Sequence, residues 1–391
     1  MSSVDWAAWR SQVPGLPGRI NLNAGTLSPT PRPVVEAAER MRADMHANGT
    51  EFFVSLLPPL VQESRRRLAE YLNCDTEGLL LLPNVTFAMN IAIDSLPLER
   101  GDEVLLTDLE YGAMKLAFAR RAAETGAVVK YVAIPPDVSS PGEILERVAA
   151  AMTARTKVLF FSHITSPTGL ILPARELCDL ARERGAWSAV DGAHGPGMIP
   201  VDLAAIGADL YGANCHKWMM AAPGSGFLHA APGVRHLLRP PVASWGLEFE
   251  PDRAAQDSEW GGTFWQRSFE YMGMIDRCPQ CTVPAALDFR AAIGQANVDA
   301  RIEELTTYAR RRLEGAGLKC ISPDDPKLTG AMLIFDYREV PDPSWMNVPW
   351  WQRRKIIAPV TRVGDRFFLR ICCAWWNTEE EIDALAQVLG Q

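Results

Sequence analysis

WSAVDGAHGPGMIPVDLAAIGADLYGANCHKWMM, residues 187–220, decides the fold. Its two apolar runs, one ending at Asp191 and one at Asn214, read as β-strands joined by a short helix. In an open α/β sheet the carboxyl ends of neighbouring strands face one crevice, so Asp191, His194, Asn214, His216 and Lys217 are expected to converge there. Taken singly, these residues have plain structural readings: a strand-end Asp forms turns, a lone Lys is a solvated charge, and DG and GPG are turn signals. Taken together they differ, because Lys217 sits between a histidine and an apolar run, where an unpaired ammonium is costly. A buried carboxylate opposite a buried lysine is the minimum equipment for holding pyridoxal phosphate. The acid keeps the ring nitrogen protonated, and the lysine loses its charge by forming the Schiff base.

VDGAH (190–194) followed by ANCHKW (213–218) resembles the class V aminotransferase family of fold-type I pyridoxal phosphate enzymes. Within it, the isopenicillin N epimerase-like branch, with its cysteine-conjugate C-S lyases, is closer than the cysteine desulfurases. The resemblance runs from about Asn21 to the end of the chain. It implies an α/β, aspartate aminotransferase-like architecture: a large cofactor domain at 23–285 with a mostly parallel sheet, and a smaller α/β C-terminal domain at 286–391 joined by an N-terminal arm, 1–22. It also implies that Asp191 pairs with the pyridine nitrogen, that His194 contacts the ring O3', that Asn214 and His216 reach the phosphate, and that Lys217 carries the cofactor.

The bulk properties agree with an enzyme of this kind. With 391 residues, 48% hydrophobic and 22% charged, the chain is large enough for two cores. A net charge of -8 and a pI near 5.4 give no general attraction to nucleic acid or anionic membrane. The opening MSSVDWAAWRSQ lacks a basic region followed by an apolar one, and a cytoplasmic location is the expectation. Eight cysteines are scattered apart from Cys278/Cys281 and Cys372/Cys373, and no further Cys or His pair completes a zinc site, so no metal is expected.

Along the chain, the turn-rich segment INLNAGTLSPTPRP (20–33) precedes two helical patterns at 33–46 and 59–72. The resemblance places Asn23, Ala24 and Gly25 near the substrate carboxylate. A buried strand at 79–82 then leads into a helix starting near Thr86. A helix N-terminus with a Thr hydroxyl suits a phosphate, although Asn84 or Thr86 serving only as the cap fits equally. The family match assigns Val85, Thr86 and Phe87 to the phosphate turn. It assigns Tyr111 to stacking on the ring, and Ser166 to a position near O3' and the substrate carboxylate. His163, at the end of the strand VLFFSHI, is read as a satisfied strand-end residue rather than a ligand. Alternating strands and helices imply a parallel sheet covered on both faces.

The segment 268–289 departs from the family pattern. Relatives carry a Gly-Thr-Arg-Asp-like run whose Thr reaches the phosphate in the neighbouring subunit, and the corresponding positions here are Gly273, Met274, Ile275 and Asp276. Only a backbone N–H at Met274 would then serve. Trp260-Gly-Gly-Thr263 looks similar but lies too early in the chain. A homodimer with shared sites is still expected. A long helical region from 287 to 313 leads to the last strand, where Arg370 matches the residue that clamps the substrate α-carboxylate, a task suited to a planar guanidinium. Pairing of Arg370 with Asp365 or Glu380 is the structural alternative.

The resemblance implies chemistry at Cα of an amino acid, with several outcomes. The reading placed first is a β-eliminating C-S lyase acting on a cysteine S-conjugate in antibiotic-type metabolism. After it come a decarboxylating oxidative deaminase, an isopenicillin N-type epimerase and a catalytically inactive binding protein. Desulfuration is disfavoured, because the stretch WWQRRKIIAPVTRVGD (350–365) before Arg370 holds no cysteine nucleophile. Trp345, Trp350, Trp351, Trp375 and Trp376 are either small-domain core or a wall for a bulky substituent.

Overall fold

The computed structural model describes residues 4–247, 261–338 and 348–390. Trp260 and Trp345 lie outside them. The strands in chain order are β1 (Ile20–Asn21), β2 (Leu79–Leu82), β3 (Glu103–Thr107), β4 (Val128–Val132), β5 (Thr156–Ser162) and β6 (Trp187–Asp191). They continue as β7 (Leu210–Asn214), β8 (Gly226–Ala230), β9 (Met332–Tyr337), β10 (Ile356–Ile357), β11 (Val360–Val363) and β12 (Arg366–Cys372).

Seven of them form one sheet in the order β2-β8-β7-β6-β5-β3-β4. The run from β7 to β4 is parallel, and β8 is antiparallel to both of its neighbours. Strand periodicity explains why the inner strands are buried along most of their length: successive side chains feed opposite faces, and both faces are covered, whereas edge strand β4 is largely exposed. Leu79, Leu81, Leu159, Phe161 and Val190 enter one core, while Leu80, Leu82, Val158, Phe160 and Ala189 enter the other. Edge strand β2 is further pinned by a buried ion-pair network. Glu270 accepts the Leu81 N–H at 2.8 Å and pairs with Arg65 at 2.6 Å and Arg277 at 3.0 Å, and Arg65 also donates to the Leu79 carbonyl.

The second sheet is antiparallel, β11-β12-β9, and packs with the helices Gln295–Glu314 and Glu379–Leu389 around a separate core that includes Leu305, Phe335, Trp350 and Leu385. The incoming chain joins this part: β1 pairs in parallel with β10, and Leu22 enters the same core. The helical region expected across 287–313 is two helices, Val283–Ile293 and Gln295–Glu314, broken where Gly294 takes φ 92°. The tryptophans are core. Trp350 is fully buried and donates to the Ala358 carbonyl at 2.9 Å; Trp375 and Trp376 pack with Trp6, Trp9 and Phe289; Trp351 packs against the Trp350 cluster. The wall for a bulky substituent therefore has no support from these four. Among the described residues, no helix is long and apolar enough to cross a membrane, and no group of side chains could hold a metal ion.

Candidate active site

The carboxyl ends of β5, β6 and β7 open onto a cavity of about 310 Å³, lined by Gly25, Thr26, Asn84, Val85, Thr86, Tyr111, Ser162, Ile164, Ser166, Asp191, Ala193, His194, Asn214, His216, Lys217 and Arg370. The topology makes this crevice: β3 and β6 lie on either side of β5, so the chain leaves the sheet in different directions after adjacent strands. Of the residues expected in the site, Ala24, Asn23, Phe87 and Met274 do not line it.

Asp191 ends β6, is buried, and accepts the Ala193 N–H at 2.9 Å. Burial raises its pKa, against the N–H bond and the charge of Lys217. Lys217 follows β7, and its pKa is lowered to about 8, chiefly by burial, with Asp191 opposing and Arg370 assisting. An ammonium made this easy to deprotonate supplies a free amine near neutral pH, as a nucleophile or a base must. The glycines between the two residues have steric reasons. A Cβ on Gly192 or Gly195 would strike the Tyr211 ring or its hydroxyl. One on Gly197, at φ 89°, would lie 2.5 Å from the backbone of Trp218 and Met219. The DGAHGPG loop can thus press directly against the lysine segment.

The phosphate turn is partly committed to its own structure. Asn84 caps the helix Val85–Ser95 by accepting the Phe87 N–H at 2.9 Å, and Asn214 Oδ1 accepts the Val85 N–H at 2.9 Å. Asn214 therefore ties β7 to the helix start, and Thr86 is left as the residue of that turn best placed for an anion. His216 donates from Nδ1 to the Ser225 carbonyl at 2.9 Å, which orients its ring; burial lowers its pKa. Tyr111, half exposed, stands at the mouth. His163 bonds the Tyr211 hydroxyl at 2.9 Å beneath the site, and burial pushes its pKa down to about 4.

Arg370 lies on β12 and reaches across from the small sheet. Its Nη2 donates to Asn23 Oδ1 at 2.7 Å and its Nη1 to the backbone carbonyl of Ser166, while its buried Nε has no partner among the described residues. Neither Asp365 nor Glu380 is its partner: Asp365 pairs with Arg362. Asn23 thus acts through Arg370, and Ala24 is fully buried. Gly25 lines the cavity; a Cβ there would approach Cys372 Sγ to 3.1 Å and His194 Cε1 to 3.4 Å. Met274 is 70% exposed and outside the cavity of its own chain, and Thr263 of the WGGT run caps the helix Phe264–Glu270.

Two buried neighbours were not foreseen. Glu110 accepts from Thr107 Oγ1, from the Ser162 N–H at 3.1 Å and from Ser162 Oγ at 2.6 Å. Burial raises its pKa to about 7 in spite of these donors, and Asp191 adds to the shift. The signal was an acid at a strand end beside Tyr111, but Asp108 shares that description and instead accepts the Ile134 N–H. Trp218 donates to His194 Nδ1 at 3.2 Å, next to the lysine; the ANCHKW motif includes it without giving it a role.

A buried carboxylate and lysine, a helix start with a threonine and an unpartnered guanidinium N–H suit pyridoxal phosphate and an amino-acid carboxylate. Comparison with known proteins agrees. The family model described as "Aminotransferase class-V" matches residues 20–342. The chain is 41% identical to the isopenicillin N epimerase of Amycolatopsis lactamdurans over 100% of this chain and 99% of that protein. It is 39% identical to the isopenicillin N epimerase of Streptomyces clavuligerus, over 100% and 98%. Among solved structures, the cystine C-S lyase C-DES in complex with cysteine persulfide superposes with a TM-score of 0.84 at 23% identity, covering 97% of this chain and 99% of that one, a likeness of fold.

Proposed function

The chain belongs to the class-V aminotransferase family of pyridoxal phosphate enzymes, and from that premise we propose that it is an amino-acid epimerase acting at Cα of an isopenicillin N-type substrate. The observation that carries the chemistry is the placement of Lys217 and Asp191 in one cavity with Arg370 at its rim. The choice among reactions is supported by relatives at about 40% identity over essentially their full length, both named isopenicillin N epimerase. Epimerisation thereby moves ahead of C-S lysis, the reading placed first from the sequence and its family resemblance.

In this reading Lys217 would hold the cofactor and would also serve as the base beside Cα. The bound cofactor supplies an electron sink for the charge left at Cα. Asp191 would keep the ring nitrogen protonated, Thr86, with Asn214 and His216 behind it, would hold the phosphate, and His194 would serve the ring oxygen. Tyr111 covers the ring, and Arg370, steadied by Asn23 and Ser166, takes the substrate carboxylate. A two-fold dimer would bring Met274 of one subunit toward the site of the other. Desulfuration lacks its nucleophile here: among the described residues no cysteine lines the cavity, and Cys372 and Cys373 are fully buried, their thiols pushed up by burial. A binding protein without catalysis would have no use for a buried lysine poised near neutrality.

The second reading is β-elimination, favoured by 29% identity to a putative L-cysteine desulfhydrase of Oryza sativa subsp. japonica over 81% of this chain. Incubation of the cofactor-loaded enzyme with isopenicillin N in deuterium oxide separates the two. Deuterium at Cα in a mixture of both epimers is expected. Pyruvate and ammonia released from a cysteine S-conjugate, with no exchange into isopenicillin N, would replace epimerisation by elimination.

A further inference from the structure

Lys217, His194 and Trp218 form a chain of buried nitrogens. Trp218 Nε1 stands 3.2 Å from His194 Nδ1, and His194 Nε2 stands 3.3 Å from Lys217 Nζ. Indole N–H can only donate, so Nδ1 must accept and carries no proton. The imidazole is neutral, because burial first, with the charge of Arg370 assisting, holds its pKa well below the ordinary value. Its one proton is then on Nε2, directed at Lys217. An ammonium has no lone pair to receive that N–H, whereas a free amine does. Gly197 makes the arrangement possible, since any Cβ there would force the Trp218–Met219 backbone away from the loop that carries His194.

We propose that Trp218 is a positioning residue that fixes His194 as the Nε2–H tautomer and thereby eases Lys217 toward the free amine. The other groups facing Lys217 pull in both directions: Asp191 and Cys372 favour its charged form, and Arg370 disfavours it. A neutral donor at Nε2 adds to the disfavouring side without placing another charge in the cavity. Were the indole N–H lost, the ring could carry its proton on Nδ1, and Nε2 would become an acceptor that stabilises the ammonium. The tautomer follows from geometry alone; its consequence for cofactor capture rests on the function proposed above.

The test begins with the cofactor-free protein, labelled with ¹⁵N-histidine, the His194 signal being identified by its loss in His194→Gln. Wild type is expected to show Nε2 protonated and Nδ1 as a hydrogen-bonded acceptor. An Nδ1–H or doubly protonated His194 overturns the proposal without any variant being made. Trp218→Phe, which keeps an aromatic ring and removes the N–H, is expected to populate the Nδ1–H tautomer. Condensation of Lys217 with added pyridoxal phosphate, which releases water, should slow about tenfold at about pH 7 and match wild type at about pH 10, as a rise of about one unit in the lysine pKa requires. An unchanged tautomer, or equal slowing at both pH values, overturns the positioning role. If no cofactor is captured by wild type while His194 shows the expected tautomer, the functional reading fails and the tautomer assignment stands.

Discussion

Replacing Arg370 by lysine keeps a cation on β12 and removes the planar fork. In the structure that fork is held from two sides, by Asn23 Oδ1 at 2.7 Å and the Ser166 carbonyl, leaving the buried Nε without a partner among the described residues. A substrate carboxylate bound by the guanidinium fork gains a bidentate, charge-assisted contact that an ammonium cannot reproduce. Hydrogen bonds to charged groups contribute about 1.5–3 kcal/mol, so Arg370→Lys should weaken amino-acid binding by about 10- to 150-fold. Asn23→Ala leaves the guanidinium in place and removes one neutral support, a loss of about 0.5–1.5 kcal/mol or about 2- to 12-fold. Because Asn23 acts through Arg370, the double variant should bind no worse than Arg370→Lys alone. The assay is equilibrium titration of substrate into the cofactor-loaded protein, followed by the change in cofactor absorbance. Wild-type affinity in Arg370→Lys, or full additivity in the double variant, would show that the carboxylate is held elsewhere.

Glu110 makes stability depend on pH. Its folded-state pKa of about 7 lies above the ordinary 4.5, so the folded chain retains a proton that the unfolded chain releases; the resulting stability is complete below about pH 4.5 and is lost as pH rises through 7. The shift corresponds to about 3 kcal/mol, and Glu110→Gln should lose less stability than wild type by that order between pH 5 and pH 8 in denaturant melts of the cofactor-free protein; parallel curves would contradict the burial of its charge. Arg65→Met leaves Glu270 buried with Arg277 as its remaining cation, and should destabilise by about 3 kcal/mol or more. Thermal melts check this, and a single variant that melts with wild type would show that β2 is not anchored through that pair.

The sequence revealed the centre of the site because a local pattern encodes it. Two apolar strand runs with Asp191 and Lys217 behind them are enough to place both residues at adjacent strand ends, and β6 and β7 lie there in parallel. It was silent on contacts made across long separations. Arg370 meets Ser166 and Asn23 only because β12 and the incoming arm pack against the large sheet, and no periodicity announces that. Glu110 and Asp108 differ in burial, which depends on how the turn after β3 folds over β5. The single long helix failed at Gly294, where one glycine was weaker as a signal than the apolar spacing around it. Trp375 and Trp376 became core because the N-terminal helix supplies Trp6 and Trp9 to cover them, a pairing between opposite ends of the chain.

The central claim is that Lys217 carries the cofactor, and the most direct measurement is borohydride reduction of the cofactor-loaded protein followed by peptide mapping. The account predicts visible absorbance that reduction abolishes, one label on the peptide containing Lys217, and neither absorbance nor label in a folded Lys217→Ala variant. A label on another lysine, or cofactor bound with Lys217 unmodified, would contradict it.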